Sequence, residues 1–405
     1  MNLTTKFYME NSYIRELEAE ITEKKFHNNK YYIKLNRTIF YPHLAGGQPR
    51  DLGTINDIEV LNVYEEGDDI VHVLEKNIRG TNVKLRIDWE NRMDMMQQHT
   101  GQHLLSAVIY KLYHGETSSL HIGLNYSSID IDLPEFSEED IEKIELLANR
   151  IIYSNLKIKT YIVNKDELKG IPLRKTSNIE SNIRIVEIDG FDYSPCGGTH
   201  LSSTGEIGII KINKWDRKKG NLRIEFVCGN RALRDYSWKN TLIKKLSILL
   251  SAKDTDVLSK VNKLYEDKKE IEKENRDLRE IIYRLKGDNF LNEVKYSNGI
   301  GIIFKELEDM DFKELNLIAN YLNTKEYLIQ VYGLKNAKKA QLYISKTKDI
   351  DIDLLEIFKS LSERYEIKGG GNSTTVQGGV KADELTSIMK DFTSIIIKKS
   401  KVRTS

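Results

Sequence analysis

The stretch NRMDMMQQHTGQHLLSAVIYKLY (91–113) decides the fold reading. Met96, Thr100, His103 and Ala107 recur at three- and four-residue steps, which predicts a helix over roughly Asn91–Tyr113. Gly115 is a natural stop. On the N-terminal side, residues 1–88 alternate in short runs: YYIKL (31–35), RTIFYP (37–42), TINDIEVLNVY (54–64), DIVHVLEK (69–76) and VKLRID (83–88). Asn28-Asn29, Gly46-Gly47, Gly67-Asp68 and Arg79-Gly80 punctuate them, and this spacing predicts a small β-barrel or half-barrel. On the C-terminal side, Ser137 can cap a second helix. IRIVEID (183–189) reads as a strand, and EIGIIKI (206–212) with LRIEFVC (222–228) reads as a hairpin around Gly220-Asn221. Residues 89–230 are thus a mixed α+β segment.

Further on, residues 231–286 read as helical. Val257, Val261, Leu264, Ile271, Leu278, Ile282 and Leu285 form a heptad seam interrupted by Lys268 and Asn275. An intrachain antiparallel hairpin and an intermolecular coiled coil both satisfy this pattern, and a homodimer could form through this helical linker or through the C-terminal domain. Residues 287–405 alternate strands GIGIIF (299–304), YLIQVYG (327–333) and AQLYIS (340–345) with helical stretches. The glycine cluster GGGNSTTVQGG (369–379) and a helix from Ala382 complete a C-terminal α/β unit. The chain as a whole is expected to be α+β in four segments.

Composition bounds the function. The 405 residues suit two to three domains, and 40% hydrophobic with 30% charged residues indicates a globular chain. Sixty-two basic against sixty-one acidic residues give +1, so nucleic-acid contact must come from local patches. Two cysteines exclude a disulfide scaffold. The absence of a long apolar run or signal-peptide core predicts no membrane contact and a cytoplasmic location.

Chemistry concentrates in two pairs. His99 and His103 lie four apart on the predicted helix and share a face. An isolated pair of this kind is most often one packed and one exposed histidine. Thr100 stands where a metalloprotease carries Glu. Cys196-Gly197-Gly198-Thr199-His200 adds a thiolate and an imidazole across two glycines that permit a tight turn. Three His and one Cys make a set suited to zinc. The long separation of the two pairs disfavours a structural zinc knot.

Three signatures occur in order: GGQPRDLG (46–53), HTGQH (99–103) and CGGTH (196–200). Together they resemble the editing domain of alanyl-tRNA synthetases and the freestanding alanyl-tRNA editing proteins. The stretch GIIKINKWDRKKGNLRIEFVCGNRAL (208–233) is similar to the same family. The C-terminal glycine cluster resembles the DHH-associated tRNA-binding domain, as in the long freestanding form. Residues 89–230 would then be the editing domain. No ATP-using aminoacylation segment and no Asp-His-His motif is present, so the chain is expected neither to charge tRNA nor to act as a phosphoesterase.

The resemblance implies ester hydrolysis on mischarged tRNA(Ala), seryl first and glycyl second. One zinc per chain would be held by His99, His103, Cys196 and His200. Four protein ligands close a tetrahedral site, so the ion either activates water by shedding a ligand or positions substrate. No general base is named. A tRNA-binding protein with a purely structural zinc is the alternative. Gly46, Gly47 and Gln48 are candidates for facing the substrate, and Ser127 and Ser128 for meeting its hydroxyl. Lys214, Arg217, Lys218, Lys219 and Arg223, with Gly370, Gly371, Gln377 and Gly378, are candidate RNA contacts.

Overall fold

The computed structural model describes residues 3–43, 47–174, 182–218, 220–308, 310–336 and 339–401. Gly46 and Lys219 lie outside them. The chain divides into two compact units, Met1–Leu249 and Leu250–Ser405, where the sequence reading set four segments.

The first unit opens with β1 (Thr5–Lys6) and one turn of helix, α1 (Phe7–Glu10). Then follow β2 (Glu16–His27), β3 (Lys30–Leu35), β4 (Arg37–Thr38), β5 (Gly53–Ile55), β6 (Ile58–Glu66), β7 (Asp69–Leu74) and β8 (Asn82–Ile87). Six of these close a barrel in the order β2-β3-β7-β6-β5-β8. Closure depends on the long β2. Its first half pairs with β8 (Glu16 opposite Arg86), and its second half pairs with β3 (Lys24 opposite Ile33) across an irregularity at Ile21/Glu23. Asn28 and Asn29 both take positive φ, as a tight two-residue hairpin turn requires. Alternate side chains, including Ile33, Leu35, Val60, Val63 and Leu85, fill the interior.

Residues 39–42 do not extend the short β4 as the run RTIFYP suggested. Their backbone bonds to the segment that follows. Tyr41 N–H donates to the Asp51 carboxylate at 2.6 Å, and Asp51 N–H donates to the Tyr41 carbonyl at 3.1 Å.

Helix α2 (Trp89–Tyr113) starts directly after β8, capped by Asp88. It is followed by β9 (Thr117–Ile122), β10 (Ser127–Ile131), α3 (Glu138–Tyr153), β11 (Ile158–Val163), α4 (Lys165–Leu168), β12 (Ile183–Ile188), β13 (Asp192–Pro195), β14 (Ile210–Lys218), β15 (Asn221–Cys228) and α5 (Gly229–Leu250). Two sheets form, β14-β15-β10-β9 and β11-β12-β13. From Met95 to Ile109 every residue of α2 is buried, not one face alone. Close approach to β15 makes this feasible, because a Cβ on Gly101 would lie 2.3 Å from Cys228 Sγ. The helix ends at His114, which adopts φ 57°, and not at Gly115. Gly115 serves packing instead, since a Cβ there would meet Leu133 Cδ1 at 2.5 Å. Helix α3 carries the expected Ser137 cap, reciprocated by Asp140. In α5 only Gly229, Arg231 and Ala232 are buried.

The second unit contains α6 (Val257–Leu291), β16 (Lys295–Ser297), β17 (Ile300–Glu308), α7 (Phe312–Leu322), β18 (Leu328–Asn336), β19 (Lys339–Lys346), α8 (Leu354–Ser362), β20 (Lys368–Gly371), β21 (Thr375–Val380) and α9 (Leu385–Lys401). One sheet runs β16-β17-β18-β19-β21-β20. Leu342, Ile344 and Val376 pack with α8 and α9, while Ile303, Tyr332 and Tyr343 pack with α7 and the end of α6. The glycine cluster forms an edge hairpin, with Gly369 opposite Gly378 and Gly371 opposite Val376. A Cβ on Gly369 would fall 2.1 Å from the Gln377 carbonyl oxygen, so this pairing needs glycine. Of the heptad seam, Val257 alone is buried, and Leu264, Ile271 and Leu285 are more than half exposed.

Candidate metal centre

The two halves of the quartet meet. Helix α2 presents His99 and His103, and the loop after β13 presents Cys196 and His200. Their donor atoms all lie within 4.8 Å of one another. His99 Nε2 is 3.4 Å and His200 Nε2 is 3.3 Å from Cys196 Sγ. The three imidazoles are buried and Cys196 is half-buried. The two glycines between the loop donors are not equivalent. A Cβ at Gly198 would sit 2.2 Å from His99 Cε1, whereas nothing lies within 4 Å of one at Gly197. Gly198 therefore lets the loop touch the helix.

Burial sets the charge state of the donors. It holds His99 and His200 well below the usual imidazole range, and neighbouring imidazoles and Arg184 add to this. His103 is lowered to about 3 by burial, with Arg174 and Arg184 contributing. Burial pushes the Cys196 thiol up, while the Gly198 N–H and the Arg184 guanidinium oppose it. Three neutral imidazoles and one sulfur converging on a point fit a metal that prefers nitrogen and sulfur ligands. These four residues could hold such an ion.

Four further residues fix the donors. Gln48 Oε1 lies 2.9 Å from His99 Nδ1 and accepts the Thr199 N–H at 3.1 Å, and Gln48 Nε2 donates to Thr199 Oγ1 at 2.8 Å. Thr100 Oγ1 lies 3.2 Å from His200 Nδ1 and accepts the Leu201 N–H. Arg184 donates to the carbonyls of Cys196 and Gly198, at 2.8 and 2.9 Å. Arg92, wholly buried, anchors the start of α2 to the barrel. It donates to both oxygens of the buried Asp51 and to the Ser12 and Ile39 carbonyls. The sequence reading passed over Thr100 as a holder of His200, and also Asp51, Arg92 and Arg184. Asp51 and Thr100 sit inside quoted motifs, but nothing local marks either arginine as buried.

Residues 183–225 match the family model described as the threonyl and alanyl tRNA synthetase second additional domain. That span covers β12 through most of β15, including Cys196 and His200. Alanyl-tRNA editing protein AlaX-L of Pyrococcus horikoshii is 33% identical over 401 residues, which is 94% of this chain and 95% of that protein. The chain belongs to the alanyl-tRNA editing proteins. Alanyl-tRNA editing protein Aarsd1 of Danio rerio is 29% identical over 93% of this chain and 92% of its own length. An alanine–tRNA ligase of Methanobrevibacter smithii is 30% identical over 93% of this chain and 44% of its own length.

The other residues singled out in this editing protein fall in varied places. Gly47 has φ 83° and packs against the Leu120 backbone. Gln48 is fully buried. Ser127 and Ser128 are buried in β10, and the Ser127 hydroxyl has no hydrogen-bond partner among the described residues. No hydrogen bond among the described residues joins either serine to the quartet. Much of the basic run is internally engaged. Lys214 pairs with Asp216, Arg217 donates to the Pro134 carbonyl, and Arg223 grips Asp130 through two bonds of 2.6 and 2.7 Å. Trp215 packs against the core, its indole N–H bonded to the Phe136 carbonyl. Lys218 is exposed. Gly370, Gly371, Gln377 and Gly378 line a groove of about 550 Å³ beside Phe312.

Proposed function

We propose that this chain is a trans-editing hydrolase that deacylates mischarged tRNA(Ala), acting on the seryl ester first and the glycyl ester second. The convergence of His99, His103, Cys196 and His200 carries the reading. Editing is required because an alanine pocket rejects an added hydroxyl or a missing methyl by only about 1–3 kcal/mol. Zinc, when bound by these four side chains, supplies a Lewis acid for the ester carbonyl or for a water.

The chain's own groups prepare the site. Burial keeps the imidazoles neutral and able to ligate. Gln48 and Thr100 orient two of them, and Arg184 clamps the loop between Cys196 and His200. Gly46 and Gly47 are assigned to the substrate side, with Ser127 and Ser128 toward the amino-acid hydroxyl. Lys214, Arg217, Lys218, Lys219 and Arg223 are assigned to the acceptor end. Gly370, Gly371, Gln377 and Gly378 are assigned to a second tRNA contact, and the groove beside Phe312 supports it. The exposed apolar seam of α6 supports a homodimer through that helix. Among the described residues no helix is long and apolar enough to cross a membrane.

A second reading, a tRNA binder with a purely structural zinc, is favoured by one observation: four protein donors converge, the number that fills a tetrahedral ion's coordination. One assay separates the two. Zinc-loaded protein is incubated with seryl-, glycyl- and alanyl-tRNA(Ala), and ester loss is followed. Rapid loss of the seryl ester with sparing of the alanyl ester is expected. Survival of all three would leave only the binder.

A further inference from the structure

We infer that Gln48 is a positioning residue of the metal centre, which holds the His99 imidazole in the tautomer whose unprotonated Nε2 faces the ion. The inference rests on the reading that the quartet binds a metal. The hydrogen bonds leave one assignment. A backbone N–H can only donate, and that of Thr199 meets Gln48 Oε1 at 3.1 Å. This atom is therefore the amide oxygen, and the amide nitrogen is the group that reaches Thr199 Oγ1. His99 Nδ1 lies 2.9 Å from the same oxygen and must carry a proton to bond it. The other ring nitrogen, Nε2, then keeps its lone pair. It points to Cys196 Sγ, on the side shared by the other donors.

Gln48 is 0% exposed, so water does not compete for its oxygen. The amide also links a ligand on α2 to the loop that carries the other two donors' backbone. The substrate-reading role suggested by the sequence would need an amide free to turn toward a cleft, and this one is engaged on three sides. A metal-binding histidine with its second nitrogen held by a fixed acceptor is a better ligand for two reasons. Its ring is already oriented, and its lone pair is already on the correct atom.

Two measurements test this. Long-range nitrogen–proton NMR of the metal-free wild-type protein reads the tautomer of His99. The Nδ1–H form is expected, and an Nε2–H form overturns the inference. Chelator competition then compares zinc affinity in Gln48→Leu and Gln48→Glu. The first removes the acceptor and is expected to lower affinity by about 10–100-fold, whereas the second keeps an acceptor oxygen and is expected to stay near wild type. Wild-type zinc affinity in Gln48→Leu, with only KM for the aminoacyl-tRNA raised, assigns Gln48 to substrate and overturns the inference. A wild-type protein that takes up no zinc defeats the metal reading instead, and the tautomer measurement still decides what Gln48 does.

Discussion

Replacing Gly198 with alanine tests the centre most directly, because its neighbour Gly197 is a built-in control. The new Cβ would lie 2.2 Å from His99 Cε1 and 2.4 Å from His99 Nδ1, where ordinary contact begins near 3.4 Å. One of the two must give by about 1 Å. The His99 ring is hemmed in by Gln48 and Cys196, and Arg184 pins the Gly198 carbonyl, so neither moves freely. Overpacking of this kind costs about 1–3 kcal/mol. A ligand displaced by about 1 Å also leaves bonding range of an ion held at about 2.0–2.3 Å. Zinc affinity should therefore fall by at least about the 10–100-fold seen when a ligand's support is disturbed. Gly197→Ala adds a methyl group to open space and should change stability by less than about 0.5 kcal/mol. Chelator competition and thermal unfolding, run with and without zinc, read both effects. Equal zinc affinity in Gly198→Ala and wild type, or equal damage from Gly197→Ala, would refute the geometric argument.

Three other outcomes are expected. Gly101→Ala should destabilise the first unit, because its Cβ meets Cys228 Sγ, and Cys228→Ala should relieve part of that loss; a double-mutant cycle in urea with no favourable coupling would contradict the packing. Asp51→Ala leaves the Arg92 guanidinium buried without its carboxylate and should cost about 3–5 kcal/mol, a loss that denaturant unfolding measures directly. Burial lowers His72 to about 4 from 6.5, so the unfolded chain binds the extra proton first. That share of stability, of order 3 kcal/mol, is present above pH 6.5 and is lost as pH falls toward 4; a stability–pH curve for His72→Gln of unchanged slope would rule it out.

How far the sequence carried the reading can be judged residue by residue. Periodicity found α2, and the Ser137 cap found α3, because both signals are local. The meeting of His99 with Cys196 was legible through paired motifs, although the close approach of loop and helix also depends on the missing side chain of Gly198. Gln48 was read as a candidate for facing the substrate, and its burial between helix and loop was not part of that reading. Its partners are Thr199 and His99, and burial at such separations has no local signature. The strand pairing of the glycine cluster was not legible because glycine disfavours strands, yet close backbone pairing at Gly369 and Gly371 requires glycine there. Arg92 and Arg184 were invisible for a related reason: a buried arginine looks like a surface arginine until its acceptors are known.

The Arg92–Asp51 bond has a consequence for dissection of the gene. A fragment beginning at Trp89 would keep the guanidinium but lose the carboxylate, together with the Ser12 and Ile39 carbonyls that bind it. A fragment ending at Asp88 would keep a carboxylate facing an empty slot. Neither product should fold into a tractable specimen, so the smallest useful expression boundary on this side lies beyond α2, and any shuffling of barrels between relatives must carry both members of the pair.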